Sequence, residues 1–201
     1  EVTSSQLLAQ HIARVEQRDG PINAVVVRTF EAARERAAQA DAARAHGEDW
    51  GLLHGLPMTV KESFDLPGTP TCWGFPQYKD NIAQQPAVAV QRLLNAGAVV
   101  FGKTNVPILS WTGTHANDSW AGPTLNVAIT DRAPGGSSAG TASAVAAHMC
   151  VVGLAEETGG SIQNPASAQD LVGIKPTIGL VPNAGVVPLS GNRDVVGPIA
   201  R

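Results

Sequence analysis

Two glycine-serine segments and one lysine are the residues of this sequence best equipped for covalent chemistry. Gly135-Gly136-Ser137-Ser138 opens a small-residue run of helical character, and Glu157-Thr158-Gly159-Gly160-Ser161 leaves the end of a short apolar run that reads as a buried strand. Paired glycines reach backbone shapes closed to other residues and let amide N–H groups face a ligand. Thr158, Gly159 and Gly160 are therefore expected to form an oxyanion hole around a carbonyl carbon attacked by Ser161. A serine hydroxyl is a weak nucleophile until a base takes its proton. Lys61 is the candidate base, because it ends the apolar run Gly55-Leu56-Pro57-Met58-Thr59-Val60 and burial in a low dielectric favours the neutral amine. Taken singly, each feature has an ordinary reading as an exposed strand-end lysine or a loop turn. Their combination is what points to chemistry.

Two other motifs match known patterns and fail on context. Gly97-Ala98-Val99-Val100-Phe101-Gly102-Lys103-Thr104 fits the phosphate-binding loop letter for letter. A phosphate loop presents amides from a turn and then enters a helix, whereas these spacer residues are strand formers and Pro107 follows at once. A strand ending in a turn is expected. Gly136-Ser137-Ser138-Ala139-Gly140 fits the nucleophile elbow of α/β-hydrolases with Ser138 as nucleophile, but that elbow requires a strand before it. The preceding Asp131-Arg132-Ala133-Pro134-Gly135 is irregular and polar, and no S-x-x-K is present.

The elements that must position these residues are an alternation of helices and strands. Thr3-Ser4-Ser5-Gln6 has the form of a capping box, with Leu7, Leu8, Ile12 and Val15 at helical spacing until Asp19-Gly20-Pro21 stops the run. Ala24 to Val27 reads as a short strand and Phe30 to His46 as a second helix with a solvated face. Gly- and Pro-punctuated apolar runs follow: a strand through Val60, a helix from Pro86 to Asn95, and a strand at Ala98 to Phe101. Ser138 to Met149 is expected to be a helix, with buried strands at Val151 to Ala155 and Val172 to Ile174. The class is α/β, a mostly buried mixed sheet surrounded by helices, and no linker or repeat divides the chain.

Composition narrows the function. The 201-residue chain is 43% hydrophobic and 15% charged, with net charge −3, which gives no electrostatic reason to expect nucleic acid or an anionic membrane as partner. The apolar stretch Ala144 to Leu154 is interrupted by His148 and is too short for a bilayer span, and the opening residues lack the charged-then-apolar pattern expected of a signal peptide. A soluble, cytoplasmic protein acting on a small neutral substrate is expected. Cys72 and Cys150 make neither a disulfide framework nor a metal site with the scattered histidines.

At these motifs the sequence resembles the amidase signature enzymes, a family that includes fatty acid amide hydrolases, peptide amidases, malonamidases and the amidotransferase subunit that supplies ammonia for tRNA-dependent amidation. The likeness runs through Gly55-Leu56-Pro57 with Lys61 and through Gly97 to Asn105. It is strongest from Pro134-Gly135-Gly136-Ser137-Ser138 through Thr158-Gly159-Gly160-Ser161-Ile162 to Gly173-Ile174-Lys175-Pro176-Thr177, and ends at Val196-Gly197-Pro198. The resemblance implies Ser161 as nucleophile, Ser137 as relay, often held by a cis peptide, and Lys61 as base. The 24 positions separating the two serines agree with the family and select Ser137 over Ser138. It further implies hydrolysis of an amide of a small molecule or peptide through an acyl-enzyme, with no metal or organic cofactor, and places the Thr112 carbonyl near the substrate amide. A glutaminase subunit of a tRNA-dependent amidotransferase, a non-catalytic fragment and an esterase built on Ser138 are the competing readings.

Several positions depart from the family pattern. Ala155-Glu156-Glu157 stands where Gly-Thr-Asp is usual, Gln163 where Arg is common, and Ala168-Gln169-Asp170 where Phe-Cys-Gly is usual; the polar network bracing the site is expected to be rebuilt. Milder changes are Ala139 for Gly and Glu62 for Asp. Family enzymes run further than Arg201, so residues 1–201 are expected to be the N-terminal part of one incomplete domain. The missing C-terminal portion or a second chain is expected to complete it, and a homodimer is a further expected assembly.

Overall fold

The computed structural model describes residues 2–201. A capping box opens helix α1 (Ser4–Ile22): Thr3 Oγ1 accepts from the Gln6 amide and Gln6 Oε1 from the Thr3 amide. Asp41 in α2 (Phe30–Ala45) accepts from the Ser4 and Ser5 amides at 2.6 and 3.0 Å, fastening the two helices together where α1 still has unpaired donors. The helix does not stop at Asp19-Gly20-Pro21 as the sequence suggested. It continues through Pro21 and ends at Asn23, whose φ of 57° lets its amide reach back to the Asp19 carbonyl.

Six strands form one mixed sheet: β1 (Val25–Arg28), β2 (Pro57–Lys61), β3 (Val99–Thr104), β4 (Val152–Glu157), β5 (Val172–Gly173) and β6 (Val195–Ala200), in the order β1-β3-β2-β4-β6-β5. The central trio β3, β2 and β4 is parallel, and the flanking strands are antiparallel. Alternation along β3 shows why the sheet is buried on both sides. Val99 and Phe101 pack against α1 and α2, while Val100 joins Met58, Val60, Leu154 and Val196 on the opposite face. Helix α3 (Val88–Asn95) covers that second face with Val90, helix α4 (Ala139–Ala146) lies against β4, and a short helix α5 (Gln163–Ala168) follows the second glycine turn.

Strand β6 was not read from the sequence, because Gly197 and Pro198 sit in its middle. The sheet accommodates both: Pro198 pairs with Leu154 and gives its carbonyl to the Ile174 amide, while Gly197 passes where a β-carbon would come within 2.1 Å of the Ile174 carbonyl oxygen. The segment matching the phosphate loop is β3 and its approach. Among the described residues no helix is long and apolar enough to cross a membrane.

Close backbone packing sets the position of α4 and with it the serines at its start. Gly140 donates its amide to the Asn105 carbonyl at 3.1 Å, and a β-carbon there would fall 2.3 Å from the Asn105 nitrogen and 2.6 Å from the Ala24 carbonyl. Helix propensity alone would make Gly140→Ala stabilising by about 1 kcal/mol. The packing reverses the sign: urea denaturation is expected to show a loss of roughly 1–3 kcal/mol, and a gain in stability would contradict this placement.

Candidate functional site

The parallel strands deliver their C-terminal ends to one region, where open α/β folds gather functional groups. Lys61 is the last residue of β2, Glu156 and Glu157 end β4, and Ser137 and Ser138 precede α4. Lys61 has no exposed side-chain surface; its Nζ lies 2.6 Å from Ser137 Oγ and 2.5 Å from Glu156 Oε1. Burial drives the lysine below its usual range, and the negative charges of Glu156, Glu157 and Glu62 pull the other way without reversing the shift. An amine held so near a hydroxyl can exchange a proton with it directly.

The peptide bond between Gly136 and Ser137 is cis. Gly136 donates its amide to the Gly113 carbonyl at 2.9 Å, and a β-carbon on it would sit 2.6 Å from the Thr112 carbonyl oxygen. The Thr112 carbonyl is thus brought against the first glycine-serine segment. The second segment lies alongside it, with the Ser138 amide donating to the Ser161 carbonyl at 3.3 Å. Ser138 turns its own hydroxyl to the Glu156 carbonyl at 3.4 Å, which leaves it a role in joining α4 to β4.

The turn from Thr158 to Ser161 is braced from two sides. Burial alone would raise the Glu157 carboxyl, but the amides of Gly160, Gln163 and Ile162 and the Gln163 side chain hold it down to about 2. Its oxygens accept from the Ile162 and Gln163 amides at 2.8 and 3.0 Å and from Gln163 Nε2 at 2.6 Å, with Lys175 Nζ 3.3 Å away. On the other side the Thr158 hydroxyl donates to Asp194, which also takes the Leu189 and Ser190 amides. Among the described residues no backbone acceptor takes the amides of Thr158, Gly159 or Ser161. Gly159 is exposed whereas Ser161 is 6% exposed, so the turn runs from the surface inward.

Two of the residues that depart from the family pattern take polar contacts here. Gln163 serves Glu157, and the buried Gln169 donates to the Pro134 carbonyl and Ser143 Oγ, both at 3.0 Å, clamping the approach to Gly135 onto α4. Three participants were missed: Ser63 and Ser110, which donate to Glu156 Oε1 at 3.2 and 3.0 Å, and Asp194. Strand alternation carried one signal for them, since adjacent Glu156 and Glu157 must point to opposite faces of a sheet buried on both. Lys103, the other buried lysine, is committed elsewhere. Burial takes it down to about 8, and its Nζ donates to the Pro70 carbonyl and Thr71 Oγ1, 3.9 Å from Glu62. Both cysteines are buried and unpaired, with the Cys72 thiol raised to about 12 by burial and by Glu62. None of the described cavities is lined by Lys61, Ser137 or Ser161; the largest, about 480 Å³, runs along the start of α1 beside Asp41 and Leu52.

Compared with known protein families, residues 6–201 match the amidase family. The chain belongs to it. Among curated relatives it is 40% identical over 200 residues to the A subunit of the glutamyl-tRNA(Gln) amidotransferase of Synechococcus sp. (strain CC9605), a match that covers 100% of this chain and 40% of that protein. The corresponding protein of Moorella thermoacetica is 40% identical over 201 residues, again covering 100% of this chain and 41% of its own length. Of solved structures, the native peptide amidase of Stenotrophomonas maltophilia superposes with a TM-score of 0.92 at 37% identity, covering 100% of this chain and 42% of that one. A protein from a vestigial complex that reveals the evolutionary origins of an s-triazine catabolic enzyme superposes at 0.95 with 37% identity, covering 99% and 44%. This amidase-family chain thus spans about two fifths of the length of the curated relatives it matches.

The depressed Glu157 carboxyl has a testable consequence. A group whose folded value lies near 2 against an ordinary 4.5 contributes stability above pH 4.5 that is lost as pH falls toward 2. Denaturation across pH should find Glu157→Gln less stable at pH 7 by on the order of 3 kcal/mol, with the gap closing below about pH 4.5. A gap that stays constant with pH would contradict the ionised brace.

Proposed function

We propose that this chain carries the reacting groups of a serine amidase that hydrolyses a carboxamide to a carboxylic acid and ammonia or an amine, through an acyl-enzyme on Ser161. The contact that carries this reading is Lys61 Nζ at 2.6 Å from Ser137 Oγ, inside a site with no exposed lysine surface. Neutral Lys61 takes the proton of Ser137 as Ser137 takes that of Ser161, and Ser161 Oγ bonds to the amide carbon. The electron pair of the carbonyl moves onto its oxygen, where the amides of the Thr158-Gly159-Gly160 turn stabilise it. Of these, Thr158 and Gly159 are better placed, because the Gly160 amide helps to hold Glu157. The proton returns along the relay to the leaving nitrogen, the C–N bond breaks, and water then releases the acid and restores Ser161. The Thr112 carbonyl, beside Gly136, would take an N–H of the substrate amide. The chemistry as written needs no metal or organic cofactor.

The acyl group is open between two classes. Similarity to the A subunits of amidotransferases favours glutamine as ammonia donor within an assembly, and similarity to a peptide amidase favours free carboxamides. Ammonia release from glutamine, simple carboxamides and C-terminally amidated peptides separates them, and co-purification of a stable partner chain supports the first. For whichever amide is turned over, Ser161→Ala, Ser137→Ala and Lys61→Ala are each expected to lower kcat by at least about 10³-fold, and Ser138→Ala by less than about tenfold. Full activity in Ser161→Ala would sink the reading, and activity lost in Ser138→Ala alone would move the nucleophile to the esterase elbow.

A further inference from the structure

Lys61 does not sit alone with Ser137. Glu156 is 5% exposed, and its Oε1 lies 2.5 Å from Nζ while accepting from Ser63 Oγ and Ser110 Oγ. No step of the relay above uses this carboxylate, and leaving a buried charge without purpose or partner is expensive. The remaining charged neighbours are committed elsewhere. Glu157, from the same strand, is taken by the turn amides and Lys175; Glu62, after β2, accepts from the Cys72 and Trp73 amides at 2.5 and 2.8 Å and faces Lys103 of β3; and α4 carries no charged side chain. Among the charged groups of the described residues, Glu156 alone touches the amine.

Resting on the amidase reading, we propose that Glu156 is the positioning residue of the base: its carboxylate, fixed by Ser63 and Ser110, orients the Lys61 amine toward Ser137 and stabilises the ammonium formed when that amine takes the proton. A carboxylate can only accept. By drawing one N–H of the amine it leaves the lone pair free to meet the Ser137 hydroxyl. No proton is gained or lost by the pair in resting exchange; during attack the proton from Ser137 arrives on Nζ, and the new positive charge appears against an existing negative one. The carboxylate therefore makes Lys61 a stronger base and also moves its neutral form to higher pH. Both effects have measurable signs.

Replacing the charge by Glu156→Gln should shift the acid limb of the kcat/KM profile for amide hydrolysis to lower pH by roughly 1–3 units. The plateau above it should fall, since a weaker base transfers the proton less effectively. A merely structural role would lower the plateau and leave the limb in place, and that result overturns the proposal. Independently of turnover, NMR of the intact protein carrying 13C,15N-lysine, with the Lys61 signal identified by its loss in Lys61→Gln, reads the amine directly. Its titration midpoint should drop in Glu156→Gln by the same amount. Should that variant fail to fold, Ser110→Ala removes one donor from the carboxylate while keeping its charge, and the Lys61 midpoint should rise. An unchanged or lowered midpoint there overturns the pairing. Hydrolysis surviving in Ser161→Ala would refute the amidase reading, while the Lys61 titration would still decide the role of Glu156.

Discussion

A primary amine with no exposed surface must give up its proton or find a countercharge, and Lys61 is placed between these demands. Burial pulls it toward the neutral form, while Glu156 at 2.5 Å favours the ammonium. The fold has to supply a rigid, dry wall around that balance. It does so by ending β2 and β4 side by side in a sheet covered on both faces, and by bringing the start of α4 over the strand ends. The same compactness explains the glycines: at Gly136 and Gly140 the backbone of one segment passes where a β-carbon would have to be.

Around this pair the polar groups are arranged in tiers. Ser63 and Ser110 hold Glu156, Glu157 holds the turn that carries Ser161, Asp194 ties Thr158 to the loop before β6, and Gln169 clamps the approach to Gly135. Each brace comes from a different stretch of chain, so the site registers the packing of the whole sheet.

Much of this was legible in the residues. Short apolar runs punctuated by Gly and Pro gave the strands and the α/β class, and the family resemblance selected Lys61, Ser137 and Ser161, of which the structure places Lys61 against Ser137 and the two serine segments side by side. What the chain did not announce were pairings made across long separations. Ser63 and Ser110 reach Glu156 over 93 and 46 positions, and nothing local to a serine tells where its hydroxyl will go. Strand β6 was hidden because Gly197-Pro198 lowers strand propensity, and only the antiparallel ladder with β4 outweighs it. Asn23 likewise extended α1 past Pro21, since its left-handed backbone closes the helix after the proline. The Lys103 segment illustrates the converse: a perfect pattern match has no force once its residues are strand.

The most direct test of the central claim is the site of covalent capture. The intact protein treated with a serine-directed fluorophosphonate and digested for mass spectrometry should carry the adduct on Ser161, with the labelling rate collapsing in Lys61→Ala. An adduct on Ser138, or labelling of Ser161 that is indifferent to Lys61, would contradict a buried lysine acting through Ser137.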